Sequence, residues 1–209
     1  MSDEPITKAP KAPGKLDNRL FVLILQHPRE RKESAATAAL APAMLQRAGL
    51  VVGLSWPNLA RLVSGRADPR RWAVLYLGSA RPATLGGAEL VALDRRGEPA
   101  ADQKAALAGL DGVVLLDGSW SEAKAMWWRN PWLLKLRRLV LNPQQPSRWG
   151  RIRREPRREA LSTIEAVALL LRRLENRPDI EVALTAALDR LILEARATRA
   201  APSRAGSGP

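Results

Sequence analysis

The chain has no cysteine, one histidine, one phenylalanine and one tyrosine among its 209 residues. Each scarcity removes a chemistry. Without thiols there are no disulfides, thiolate zinc sites, iron–sulfur clusters or cysteine nucleophiles. His27 cannot build a histidine metal centre by itself, so no metal is expected. No apolar run approaches the roughly 20 residues of a membrane-spanning helix, and no cationic start followed by an apolar stretch marks a secretory leader. The phosphate-loop, nucleophile-elbow and G-x-G-x-x-G patterns are also missing. These absences point to a soluble, cytoplasmic protein with no membrane association. Nothing in the sequence indicates an obligate protein partner.

Acidic residues are scarce as well: 21 against 34 lysines and arginines, a net charge of +13. Such an excess fits a polyanionic partner, nucleic acid above all. A genome rich in GC would also raise the arginine content of every protein, so bulk charge alone leaves both readings open. Distribution favours nucleic acid. From Arg129 to Arg158 there are ten basic residues and one acid, Glu155, and Trp132 and Trp149 are interleaved among them. That mixture suits phosphate contact combined with base stacking.

With 46% apolar residues the chain can build a core. Residues 1–18 and 197–209, rich in Pro, Ala, Ser and Lys or Arg, read as disordered tails around a domain over 19–196. Within the domain, apolar runs alternate with helical patterns. Strands are expected at 19–26, 50–56, 72–79, 89–94, 112–118 and 137–142. Helices are expected at 36–49, closing on Gly49, at 57–65 opening on Pro57, and over 100–110, 121–130, 162–175 and 180–196. Buried strands alternating with helices indicate an α/β domain with a mostly parallel sheet. Ligands of such sheets bind beyond the carboxyl ends of the strands, where "LGS" after Tyr76, "DGSW" after Leu116 and "LST" before Ile164 lie.

Ser119 with Glu122, and Ser162 with Glu165, have capping-box spacing at helix starts, which accounts for all four structurally. A helix N-terminus also attracts anions, so two of them near strand ends could form one pocket. Asp117 could serve only the turn it begins with Gly118. A bulky Trp120 in the first helical turn beside it suggests a pocket wall instead. The segment "SRWGRIRREPRRE" reads as a solvated loop or an RNA-contacting one. His27, before a proline, reads as structural rather than catalytic.

"LLDGSWSEAKAMWWRNPWL" contains Asp117-Gly118-Ser119-Trp120, and "SRWGRIRREPRREALSTIEAVALLLRRLE" and "LILQHPRERKESAATAAL" flank it. Over residues 20–176 these segments resemble the DTW-domain family, the tRNA-uridine aminocarboxypropyltransferases, whose signature is Asp-x-(Thr/Ser)-Trp. The resemblance implies a single SPOUT-like domain with a mostly parallel sheet flanked by helices and a knotted region that binds S-adenosylmethionine. It implies transfer of the 3-amino-3-carboxypropyl group to N3 of a tRNA uridine, releasing methylthioadenosine, with no metal. Asp117 would then be the general base or the group orienting uridine, with Ser119 and Trp120 shaping the catalytic pocket. Leu77, Gly78, Ser79 and Gly118 would form the donor side, and Ser162, Thr163 and Glu165 the opposite wall. Arg148, Trp149, Arg151, Arg153 and Arg154 would hold tRNA.

The chain departs from the family's pattern twice. It lacks the N-terminal cysteine cluster of many members, and it has Ala35-Ala36-Thr37-Ala38 where the first block usually carries Asn-Thr-Gly. The second departure puts a donor-binding role for Ser34 to Thr37 in doubt. Alternatives are a non-catalytic RNA-binding protein of the same fold, a methyltransferase, or a related enzyme acting on ribosomal RNA. Replacing Arg151, Arg153 and Arg154 together by alanine is expected to weaken tRNA binding and lower the slope of log K against log salt by about one for each phosphate no longer neutralised. An unchanged slope in a salt titration places the RNA surface elsewhere.

Overall fold

Strand segments that are apolar at nearly every position leave no face for water, and the sheet they form is covered on both sides. The computed structural model describes residues 14–30, 37–63, 65, 67–76, 85–148 and 161–200. Six strands, β1 (Phe21–Gln26), β2 (Ala48–Val52), β3 (Trp72–Leu75), β4 (Leu90–Leu93), β5 (Gly112–Asp117) and β6 (Arg137–Leu141), lie in the order β2-β1-β5-β3-β6-β4. All neighbours run parallel except β4, which is antiparallel to β6. The sheet is therefore mixed and mostly parallel.

Alternation along the strands sorts the core into two layers. Val22, Ile24, Val113 and Leu115 meet α1 (Leu40–Met44), α5 (Thr163–Glu175) and α6 (Pro178–Ala200). Leu23, Leu25, Val74 and Val114 face the other way, onto α2 (Leu59–Leu62) and the 3-10 turn Pro131–Lys135. Trp127, near the end of α4 (Trp120–Arg129), joins this second layer, while α3 (Gln103–Leu107) packs Ala106 and Leu107 on the first. For α5, burial of Ile164, Leu170 and Leu171 at about 2 kcal/mol each outweighs a cap worth about 1 kcal/mol. Packing makes the helix; the cap decides where it starts. Among the described residues, no helix is long and apolar enough to cross a membrane.

Several elements depart from the expected boundaries. The helix expected over 36–49 is a 3-10 turn at Thr37–Ala39 running into α1, which ends at Met44, and Gly49 lies inside β2. The missing N–H of Pro42 weakens any longer helix there, and pairing with β1 recruits residues 48–52 instead. Pro57 precedes the cap of α2 rather than opening it, because Asn58 is the residue whose side chain accepts from Arg61 N–H. The lead-in makes contacts from Lys15 onward: the Lys15 ammonium donates to the Pro42 carbonyl, Leu16 bridges to Leu45, and the buried Asn18 amide brackets the Arg47 backbone with both its oxygen and its nitrogen. At the other end α6 continues to Ala200.

Gly112 opens β5 where there is no room for a side chain. A Cβ there would lie 2.6 Å from the Trp72 ring and 2.8 Å from the Phe21 carbonyl oxygen. At Gly49 the nearest atoms, on Phe21, are 3.5 Å away. Urea unfolding is expected to show Gly112→Ala destabilised by about 1–3 kcal/mol and Gly49→Ala changed by less than about 0.5 kcal/mol. Equal effects would mean the Trp72–Gly112 contact does not constrain the central strand.

Candidate active site at the carboxyl ends of the central strands

The same alternation that buries Val113 and Leu115 on the α5 side carries Asp117 there too, and Gln26 follows Val22 and Ile24 to that face. The two residues are register partners at the ends of β5 and β1. Gln26 Nε2 donates to Asp117 Oδ2 at 2.8 Å. From the first turn of α5, the Thr163 hydroxyl donates to Asp117 Oδ1. Asp117 is only 8% exposed, so its carboxylate is a buried, oriented acceptor joining two strands and a helix.

One residue further along each strand, side chains fall on the α4 side. His27 Nδ1 lies 3.2 Å from Glu122 Oε1, and both side chains are largely buried. Glu122 Oε2 accepts from the Ser119 N–H at 2.9 Å and from its hydroxyl at 2.8 Å. Gly118 sits between them: a Cβ there would be 3.1 Å from Glu122 Cβ and 3.2 Å from His27 Cβ. Burial raises the Glu122 pKa, but the two Ser119 hydrogen bonds, with His27 and Arg29 nearby, outweigh it and hold the carboxyl below the ordinary range.

The second box closes on the other side of the site. Ser162 and Glu165 cap α5 reciprocally, the glutamate accepting from the Ser162 N–H at 2.9 Å and its hydroxyl at 2.6 Å while the Glu165 N–H donates to Ser162 Oγ at 3.4 Å. The same carboxylate also accepts from Ser147 Oγ at 2.6 Å and Arg148 N–H at 2.7 Å. Glu165 is therefore both a cap and the tether of the segment leading out of β6. Two helix starts, α4 and α5, thus converge on the end of β5, each with a first-turn glutamate tied to its own cap serine.

Of the expected site residues, Asp117 and Thr163 are in direct contact, Gly118, Ser119 and Trp120 follow along the chain, and Ser162 and Glu165 adjoin Thr163. Trp120 is 40% exposed at the helix start. Arg148 pairs with Asp189 of α6 at 2.8 Å, an exposed ion pair that a phosphate could exchange for. Leu77, Gly78 and Ser79, like Trp149, Arg151, Arg153 and Arg154, lie outside the described residues. The interleaved Trp132 is no stacking group: it is buried in the second layer, its indole N–H donating to the Trp56 carbonyl at 3.0 Å. The Arg137 guanidinium is likewise used internally, on the carbonyls of Ala106 and Ala108.

Sequence reasoning left out Gln26. Its only signal was a polar residue ending an apolar strand, and only the β1–β5 register shows what it faces. The Tyr76–Trp127 pair, stacked at 4.4 Å just past the end of β3, was also unmarked.

Because the Glu122 carboxyl is held below its ordinary range, its contribution to stability is complete above about pH 4.3, the unfolded value, and is lost as pH falls through the folded value. Unfolding midpoints of wild type and Glu122→Gln are expected to differ at pH 7 and to converge toward pH 3. A gap that does not change with pH would show that the charge contributes nothing.

The DTW domain model matches residues 8–195. The chain is 34% identical over 172 residues to tRNA-uridine aminocarboxypropyltransferase 2 of Drosophila melanogaster, covering 81% of this chain and 62% of that protein. It therefore spans less than two thirds of that relative's length. No solved structure matches.

Proposed function

The chain belongs to the DTW-domain family, and from that premise we propose that it is a cytoplasmic enzyme moving the 3-amino-3-carboxypropyl group of S-adenosylmethionine to N3 of a uridine in tRNA. One observation carries the reading. The first residue of the Asp-x-Ser-Trp signature is a buried carboxylate, gripped on both oxygens, where two helix starts meet at the end of the central strand.

The donor brings a carbon already activated by its sulfonium, so the protein must supply binding, alignment and a proton acceptor. Asp117 accepts a hydrogen bond from uridine N3–H and takes the proton as N3 bonds to the γ-carbon and the carbon–sulfur bond breaks, with methylthioadenosine leaving. Gln26 and Thr163 keep the carboxylate fixed through that step. Trp120 walls the mouth and excludes water. The start of α5, from Ser162 to Glu165, suits the donor's carboxylate, because helix N-termini favour anions. Binding of the donor is assigned to Leu77, Gly78, Ser79 and Gly118, as the family resemblance implies for a SPOUT-like domain. Arg148, Trp149, Arg151, Arg153 and Arg154 hold the tRNA backbone.

Incubation of purified protein with unmodified tRNA and S-adenosylmethionine, labelled separately in its methyl and aminobutyrate carbons, tests this. Aminobutyrate label is expected in tRNA, with methylthioadenosine released, and Asp117→Asn is expected to lower kcat by about 10²–10⁴ with both substrates still bound. Methyl label in the RNA would make the protein a methyltransferase. Neither label entering tRNA or ribosomal RNA would leave an RNA-binding protein, and full turnover by Asp117→Asn would remove Asp117 from the chemistry.

A further inference from the structure

Trp128 is 70% exposed, although tryptophan is among the side chains most covered on average. Its neighbour Trp127 turns inward and stacks on Tyr76. Helix geometry separates the two, since successive residues are 100° apart. Ala123, Met126 and Trp127 face the protein. Trp120, Lys124 and Trp128, at i, i+4 and i+8, share an outer stripe on which all three are exposed. The stripe begins three residues after Asp117 in the chain and extends about 12 Å along the axis at 1.5 Å per residue. Arg129 is exposed at its far end. The one acid of α4, Glu122, is engaged with Ser119 and His27, so the outer stripe is aromatic and cationic.

We propose that this face of α4 is the track on which the RNA strand next to the reacting uridine lies, with Trp128 stacking an unpaired base and Lys124 and Arg129 meeting its phosphates. The inference rests on the proposed function and extends it to the form of RNA recognised. N3–H is the hydrogen uridine uses in base pairing, so the reacting base must be unpaired, which places it in a loop whose neighbouring bases can also stack on aromatic rings. A protein partner fits less well: interface cores are depleted in lysine, and here Lys124 lies between two tryptophans. Alternating aromatic and cationic groups is the pattern of single-stranded RNA grooves.

The test compares wild type, Trp128→Ala, Trp128→Phe and Lys124→Ala in binding to a uridine-containing hairpin-loop RNA and to a blunt duplex of equal length, over a range of salt. Trp128→Ala is expected to weaken loop binding about tenfold, the loss of one base–aromatic stack, without changing the salt slope or duplex binding. Trp128→Phe should recover most of the loss, and Lys124→Ala should lower the slope by about one. Unchanged loop binding by Trp128→Ala overturns the track while leaving the reaction standing. So does equal loss on both RNAs, or a wild-type dimer that Trp128→Ala converts to monomer in sedimentation. Trp128-dependent loop binding without aminocarboxypropyl transfer overturns the reaction alone. Failure of wild type to bind either RNA overturns both.

Discussion

The Asp117 carboxylate joins three elements at one point. Gln26 reaches it from β1, Thr163 reaches it from α5, and its own backbone carbonyl accepts from the His27 N–H to extend the β1–β5 ladder. A buried carboxylate is costly unless hydrogen-bonded, so this residue holds the strand ends and the start of α5 in register with one another. The rest of the site inherits its geometry from that contact. Ser162 and Glu165 are placed because Thr163 is, and the segment after β6 is placed because Glu165 holds Ser147 and Arg148.

Strand parity then divides the site between two faces. Gln26 and Asp117 project toward α5, whereas His27 and Gly118 meet Glu122 of α4 on the opposite side. The result is a carboxylate clamp on one face and a histidine–glutamate pair on the other, separated by one residue of extended chain. Slipping either strand by one position would exchange the two sets. The parallel register of β1 with β5 is thus as much a feature of the site as of the fold.

Helix α4 shows how one short segment serves both interior and surface. Asn130, fully buried at its end, accepts from the Trp56 N–H and donates to the carbonyls of Leu54 and Met126, fixing the helix against the segment after β2. With that end anchored and Trp127 stacked on Tyr76, the helix cannot rotate to hide Trp128 without exposing Met126. The basic stretch that follows is divided in the same way. Arg137 is used on backbone carbonyls and Trp132 is buried, while Arg129 and Arg148 remain on the surface.

Much of this organisation was legible in the chain. Near-continuous apolar runs such as "FVLILQ" and "GVVLLD" demand burial on both faces and therefore a layered, mostly parallel α/β sheet. Ser–x–x–Glu spacing located both helix starts because capping is a local interaction, settled within four residues. Local pattern alone did not distinguish Trp132, which is buried, from Trp128, which is not, nor did it find Gln26. It also extended α1 to Gly49, where pairing with β1 takes the chain into β2. These outcomes depend on which neighbour a side chain meets, across sequence separations of 26 to 91 residues. Periodicity and capping report forces that act along the chain; strand order, register and the partners of Asp117 follow from contacts that exist only once the chain has folded.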